Sequence, residues 1–221
     1  MRKILESLVN IIYPQVCGIC GKMSNTAICN KCYKKMKEEY CFGIDNYRND
    51  KNKNFIEHYY FFKYRELIRD QIIALKFREK AYIYKTIGSF LKKMQKSFEN
   101  LEIYDIIIVV PVSNKRKKER GYNQSELIAK EISKIIKVPI AKNILYKIKN
   151  TVPQSSLNKE QREQNAKGVY MIKNQQKIIN KKILLIDDIY TTGSTINECA
   201  KVIVQQGISK EQIGVLTIAK D

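Results

Sequence analysis

Three apolar runs constrain the fold of this chain more than any other feature. They lie at 106–110, 182–187 and 213–219 and are rich in isoleucine, leucine and valine. Such runs are typical of strands that are buried on both faces of a sheet. Apolar residues at helical spacing separate the runs and predict helices at 66–77, 83–94, 125–136 and 194–206. The alternation predicts an α/β fold, with a mostly parallel sheet and helices on both faces.

Shorter elements fill the spaces between these runs. Residues 55–64 are aromatic and β-prone and predict a strand, which holds the only histidine, His58. We expect His58 to be structural, because no sequence neighbour would make it a base. Residues 143–148 predict a short strand, and residues 156–166 predict a charged helix that begins with the cap Ser156.

The N-terminal part of the chain predicts a separate module. Ile4, Leu8, Ile11 and Ile12 fall on one face of a short helix. The polar residues 43–54, rich in asparagine and lysine, predict a linker or long loop. With 221 residues, the chain has room for one medium domain and a small appendage. We therefore predict an N-terminal helix and cysteine module at 1–42, a linker at 43–54 and the main domain at 55–221.

Two Cys-x-x-Cys pairs, Cys17 with Cys20 and Cys29 with Cys32, lie within this first module. Two thiols at this spacing sit on a tight turn and face the same point, so two turns together predict a tetrahedral Zn²⁺ site. With four sulfur ligands the metal would be structural. The alternative is a disulfide framework, which belongs to oxidising compartments. Cys41 is either a substitute ligand or a small hydrophobic side chain at the end of the ribbon.

A phosphate-binding turn follows the apolar run at 182–187. Asp187 and Asp188 lead into five small or hydroxylated residues before a helix: Thr191, Thr192, Gly193, Ser194 and Thr195. Backbone N–H groups and hydroxyls at a helix N-terminus favour a phosphate. The two carboxylates suit the hydroxyls of a ribose and can recruit Mg²⁺. The alternative is an ordinary capped turn between strand and helix.

A dense cationic segment follows the apolar run at 106–110. Residues 113–120 read as a loop at the same edge of the sheet, and its candidate polyanion ligands are Ser113, Arg116, Lys117 and Arg120. Clustered arginine and lysine would hold a pyrophosphate or a nucleic-acid backbone. The alternative is a solvated basic loop.

These motifs together resemble a known family. Residues 183–195 look like the phosphoribosyl diphosphate (PRPP) motif of type I phosphoribosyltransferases. The order of a four-cysteine ribbon, then Pro-Val-x-x-x-Arg-x-x-x-Arg-Gly-Tyr-Asn-Gln-Ser at 111–125, then the PRPP motif is similar to the ComF/ComFC family. Tyr122 replaces the phenylalanine that the family carries.

The resemblance implies a phosphoribosyltransferase-like fold that binds PRPP or another phosphorylated ligand with Mg²⁺, and a role in competence, the uptake of DNA. Asp187 and Asp188 would then act on the ribose as the catalytic pair, with 191–195 on the 5′-phosphate. Lys159 and Arg162 would belong to a flexible cover over the site, and Lys76, Phe77 and Arg78 would face the acceptor. The alternative function is an active transferase that moves phosphoribose to an unidentified base or amine.

The net charge favours anionic partners. Lysine and arginine number 41 against 22 acidic residues, a formal charge of +19. A charge of this sign attracts nucleic acid, anionic lipid or phosphorylated small molecules, although AT-rich coding bias explains such an excess too. Together with the resemblance, the net charge makes single-stranded DNA and competence-machinery proteins candidate partners. We expect no transmembrane segment and a cytoplasmic protein, with a location at the inner face of the membrane as the alternative.

Overall fold

The computed structural model describes residues 16–77, 80–149 and 159–221. Within these residues the chain forms a five-stranded sheet and a separate two-stranded antiparallel sheet. The larger sheet has the order β1-β2-β7-β6-β3, and β4 pairs with β5 in the smaller sheet. The strands are β1 (Tyr40–Asn46), β2 (Glu57–Lys63), β3 (Ile106–Val109), β4 (Leu145–Lys147), β5 (Tyr170–Ile172), β6 (Ile183–Tyr190) and β7 (Ile213–Lys220).

Helices connect the strands. They are α1 (Asn30–Glu39), α2 (Glu66–Phe77), α3 (Ile83–Lys93), α4 (Asn114–Arg120), α5 (Gln124–Ile136), α6 (Lys159–Ala166) and α7 (Ser194–Val204), with 3₁₀ turns at Gln95–Ile103, Gln175–Lys177 and Lys210–Gln212. No helix within the described ranges is long and apolar enough to cross a lipid bilayer.

The central strands are parallel, as the sequence predicts. β2 pairs with β7, β7 with β6 and β6 with β3, all in parallel register, and only the edge strand β1 runs antiparallel to its neighbour. Because parallel strands end at the same edge, the residues that follow β3 and β6 meet there. This shared edge positions the candidate site.

Both faces of the sheet are covered. Along β6, Leu184 and Ile186 pack on one face with α2, α3 and α5, while Ile183 and Leu185 pack on the other face with α7. The alternation follows from the two-residue period of a strand. The fully buried strands explain the continuous apolar runs, and the predicted fold class is confirmed.

Two segments differ from the sequence prediction. Residues 43–46 of the predicted linker lie in β1, where Phe42 and its neighbours join the aromatic contacts of β2. The predicted basic loop contains a helix, α4, with Ser113 as its N-cap and Gly121 in the left-handed region (φ 76°) at its end. No residue of α4 is buried, so it lacks the apolar stripe that reveals helices in a sequence.

Other predictions lie outside the described residues or differ from the structure in the bounds of an element. The N-terminal helix at 4–12 and the cap Ser156 lie outside the described residues. The helix predicted at 156–166 is described from Lys159. β6 extends beyond the predicted end at Asp187 to Tyr190, because Asp187, Ile189 and Tyr190 still pair with β7.

Candidate functional site

The four cysteines of the two pairs converge on one point. Their sulfur atoms all lie within 4.8 Å of one another, and the Sγ atoms of Cys20 and Cys29 are 3.9 Å apart. A tetrahedral site with Zn–S bonds of about 2.3 Å places its sulfurs about 3.8 Å apart, so the spacing fits Zn²⁺. The turn after Cys20 closes through Gly21, which has φ 71° and donates from its backbone N–H to the Cys17 carbonyl at 2.8 Å. These thiols would hold the metal.

Electrostatics support thiolate formation at this point. Burial opposes ionisation of Cys17, but hydrogen bonds from the backbone amides of Cys29, Cys20 and Ile19 outweigh it and lower the Cys17 pKa to about 6. Burial and the neighbouring thiols raise the pKa of Cys32. A bound cation would favour the thiolate form of Cys32 as well, since a coordinated thiol loses its proton. Cys41 is exposed in β1 and outside the group, so it is not a fifth member.

A cleft of about 900 Å³ opens at the carboxyl edge of β3 and β6. Most of the predicted phosphate and ribose residues line it: Arg116, Arg120, Asp187, Asp188, Thr191, Thr192, Gly193, Ser194 and Thr195. Ser113 instead caps α4, accepting from the Arg116 backbone N–H at 3.3 Å. Lys117 is exposed and not part of the cleft lining. The side chains of Lys159 and Arg162 lie outside the described part of the chain.

The two acidic residues have different environments. Asp187 accepts hydrogen bonds from the Ser125 hydroxyl at 2.8 Å and the Asp188 backbone N–H at 2.9 Å. Burial and the adjacent Asp188 charge raise the Asp187 pKa to about 7. Asp188 is buried and accepts from the Lys76 ammonium, with oxygen distances of 2.9 and 3.1 Å. Lys76, predicted near the acceptor, therefore contacts the acidic pair.

The loop from 191 to 195 has the shape of an anion site. Gly193 caps α7 with φ 74°, and the hydroxyls of Thr192 and Ser194 lie 2.7 Å apart. The Asn197 backbone N–H donates to the Gly193 carbonyl at 2.8 Å, which begins the helix. The N-terminal backbone groups of an 11-residue helix therefore face the cleft beside two hydroxyls.

A cationic wall faces this loop. Arg116 and Arg120 lie one turn apart on α4, and the Arg120 guanidinium stacks 4.9 Å from the ring centre of the exposed Phe77. Burial and then the Arg116 charge lower the pKa of Arg120. Cations held near one another in a half-buried cleft are stabilised by a polyanion.

The small sheet of β4 and β5 contributes two cleft residues that no sequence motif marks. Lys147 lines the cleft, and burial followed by the Arg116 charge lowers its pKa. Tyr170 lies opposite it in register and lines the cleft together with Thr195 of the loop. Lys147 sits in a predicted strand, but a single lysine in a lysine-rich chain carries no signal of a site.

Sequence relatives show the family of the chain. Competence protein F of Haemophilus influenzae is 30% identical to this chain over 154 residues, which are 68% of this chain and 67% of that protein. The chain belongs to the ComF/ComFC family. Competence protein ComFC of Bacillus subtilis is 25% identical over 206 residues, 91% of this chain and 77% of that protein.

A shorter match links the chain to proteins with another name. DNA utilization protein YhgH of Escherichia coli K12 is 27% identical over 116 residues, 52% of this chain and 50% of that protein. The match thus covers about half the length of this YhgH protein. No protein-family model matches the chain.

Proposed function

We propose that the cleft binds PRPP or a related ribose phosphate with Mg²⁺, and that the protein acts in the uptake of DNA. The observation that carries the ligand proposal is the convergence of an acidic pair, a hydroxyl-rich helix N-terminus and α4 arginines in one cleft. Each group matches a different part of a phosphorylated ribose. A capped turn alone would not bring the arginines of α4 to the same cavity.

The chemistry divides among the residues. Backbone N–H groups and hydroxyls of 191–195 would hold the 5′-phosphate. The carboxylates of Asp187 and Asp188 would accept hydrogen bonds from the ribose hydroxyls. Arg116 and Arg120 would bind the diphosphate, and Mg²⁺ bound with the ligand would offset the remaining phosphate charge.

Calorimetric titration with PRPP and Mg²⁺ tests this binding mode, and α4 offers a matched pair of variants. Arg116→Ala removes a cleft cation and is expected to weaken PRPP binding by about 10- to 100-fold, the value of a charge-assisted hydrogen bond. Lys117→Ala removes an exposed cation one residue away and should change the dissociation constant by less than about threefold. Absence of binding to the wild type, or equal effects of both variants, contradicts the proposal.

The role in DNA uptake rests on different support. The relatives are named for competence and for DNA utilization, and the chain has a formal charge of +19. On α4, Lys115, Lys117 and Lys118 are exposed and do not line the cleft. They offer a cationic surface for a single-stranded DNA backbone next to the ribose-phosphate site.

Electrophoretic mobility shifts with single-stranded DNA at several salt concentrations test the DNA proposal. Replacing Lys115, Lys117 and Lys118 by alanine should reduce the slope of log affinity against log salt by about 2, since each phosphate contact contributes about 0.7. Replacing the exposed Lys173, Lys177 and Lys181 removes the same charge elsewhere and should leave the slope nearly unchanged. No binding by the wild type at low salt would contradict a DNA-handling role.

A transferase is the second candidate function. The cleft of about 900 Å³ extends from the phosphate loop to Phe77 and Tyr64, which leaves room for an acceptor beside a ribose phosphate. The acceptor nucleophile would form a bond to ribose C1 as the bond to diphosphate breaks, releasing pyrophosphate with its electron pair. Pyrophosphate release measured against purines, pyrimidines and amines tests it, and release with one acceptor that stops in Asp187→Asn is the supporting result.

A further inference from the structure

We propose that the connection between β1 and β2, residues 47–56, positions the phosphate loop through contacts that lie outside the cleft. This inference rests on the proposed function for its ligand, because it concerns the same loop. None of the residues 47–56 lines the cleft. They contact two residues that flank the loop, Tyr190 before it and Asn197 after it.

Asn197 joins the connection to the start of α7. Its side-chain oxygen accepts from the Asn54 backbone N–H at 2.9 Å and from the Asn54 side-chain amide at 3.2 Å. Its side-chain amide donates to the Asn52 carbonyl at 2.9 Å. Because the Asn197 backbone N–H also holds the Gly193 carbonyl, one residue couples the connection to the turn of the loop.

Tyr190 holds the other end of the loop. It is the last residue of β6, is 4% exposed, and its ring lies against Gly193, where any added Cβ atom would collide with the phenol. The Lys53 ammonium donates to the Tyr190 hydroxyl at 3.1 Å. The connection therefore fixes the side chain on which Gly193 rests.

A stacking contact also holds one face of the Tyr190 ring. His58 is fully buried and stacks on Tyr190 with ring centres 4.1 Å apart. The His58 nitrogens contact Asp45 at 3.2 Å and Thr217 at 2.8 Å, and the Lys220 ammonium donates to Asp45 at 2.7 Å. A ring held on its face and at its hydroxyl has one position.

This arrangement suits a binding loop. A loop fixed before its ligand arrives loses less conformational entropy on binding, so contacts outside the cleft add to affinity. The residues 47–56 act through Tyr190 and Asn197 and do not touch the ligand. They are positioning residues, and removing them should weaken phosphate binding although every cleft side chain is intact.

The first test is the dissociation constant of PRPP with Mg²⁺, measured by calorimetry well below the melting temperature. Asn197→Ala and Lys53→Met are each expected to weaken binding by about tenfold, and Lys53→Arg, which retains the donor, should bind nearly as the wild type. Adding Tyr190→Phe to Lys53→Met should cost little more, because both changes remove the same contact. Thr86→Val, which removes a buried hydrogen bond to Ala27 far from the loop, is the control for lost stability.

The second test needs no ligand. Hydrogen exchange of the amides at 191–195 should be about tenfold faster in Asn197→Ala, with the β6 amides at 183–186 unchanged. If the wild type binds no PRPP, the proposed function fails, and the exchange result alone decides the present inference: unchanged loop exchange overturns it. If the wild type binds PRPP and Asn197→Ala and Lys53→Met bind equally well, the inference is overturned and the proposed function stands.

Discussion

The cysteine cluster and the cleft both gather polar groups at one point, but the chain assembles them in different ways. The four thiols come from residues 17–32. Cys17 and Cys32 are buried in the apolar cluster on the face of the sheet that packs against α2, α3 and α5. The cleft draws on α2, α4, β4, β5 and the loop after β6. One site is local in sequence and half of its thiols are buried, and the other is assembled across the sheet edge and open.

The two sites also differ in how completely their charges can be compensated without a substrate. Four thiols at one point satisfy a single cation completely and leave no position for a substrate. The cleft instead retains a carboxyl, Asp187, whose pKa is raised by burial, and two cations, Arg120 and Lys147, whose pKa values are lowered by burial and then by the charge of Arg116. Such unrelieved interactions cost stability and are typical of a site that awaits a ligand. We expect changes in the first site to affect stability and changes in the second to affect binding.

The largest effect is expected at the cysteine cluster. Cys32→Ala removes a buried thiol and should lower the melting temperature by at least about 10 °C, because structural zinc contributes to folding directly and about 1 kcal/mol shifts a chain of this size by ~2–4 °C. Native mass spectrometry should find one zinc per wild-type chain and none in the variant. Cys41→Ser changes an exposed thiol outside the group and should shift the melting temperature by less than about 2 °C. A wild-type chain that folds without metal would remove the distinction between the two sites.

Two glycines, one before α7 and one after it, allow an effect on ligand binding to be distinguished from an effect of backbone strain. Gly193 and Gly207 both have positive φ, 74° and 88°, so alanine is strained at either position. Only at Gly193 would the new Cβ also meet Tyr190, while nothing lies within 4 Å at Gly207. Both variants should lose about 1 kcal/mol or more of stability, but only Gly193→Ala should abolish stabilisation by PRPP in thermal melts. Loss of the ligand effect in Gly207→Ala as well would attribute it to strain.

The smallest effect concerns pH. Asp187 has a folded pKa of about 7 against about 3.9 when unfolded, so the protonated folded state loses stability as pH rises between these values. Asp187→Asn should therefore raise the melting temperature without ligand by about 2–4 °C at pH 8, and by less at pH 5.

Asp45 provides a control of opposite sign. Burial opposes its ionisation, but hydrogen bonds from Lys220 and His58 outweigh this and lower the Asp45 pKa. Its stabilising charge is present at neutral pH and lost as pH falls through the folded pKa, so Asp45→Asn should lower the melting temperature at pH 8. An Asp187→Asn variant that is less stable than the wild type at pH 8 would contradict the prediction that the ionised Asp187 carboxylate destabilises the ligand-free protein.

The sequence predicts the parts of the molecule whose signals are local. The apolar runs at 106–110, 182–187 and 213–219 mark the parallel strands, and the two cysteine pairs mark the thiol cluster. Long-range packing fixes what it misses. Residues 43–54 look like a polar linker in the sequence, because the partners of Lys53 and Asn54, which are Tyr190 and Asn197, lie about 140 positions away.

The same limit applies to the cleft. The residues 187–195 are adjacent in sequence and form a recognisable motif, whereas Lys147 and Tyr170 reach the cleft only through the pairing of β4 with β5. The basic segment reads as a loop in the sequence because α4 buries none of its side chains. Its Arg116 and Arg120 face the cleft and Lys117 does not, a difference set by helical geometry.

The central claim is that the cleft is a ribose-phosphate site built on the acidic pair and the phosphate loop. Thermal melting with PRPP and Mg²⁺ tests it most directly. PRPP at about 100 times its dissociation constant should stabilise the wild type by ~2.7 kcal/mol, a rise of roughly 5–10 °C. The Asp187→Asn/Asp188→Asn variant should fold and show no rise. An unchanged wild-type melting temperature, or an equal rise in the variant, would contradict the account.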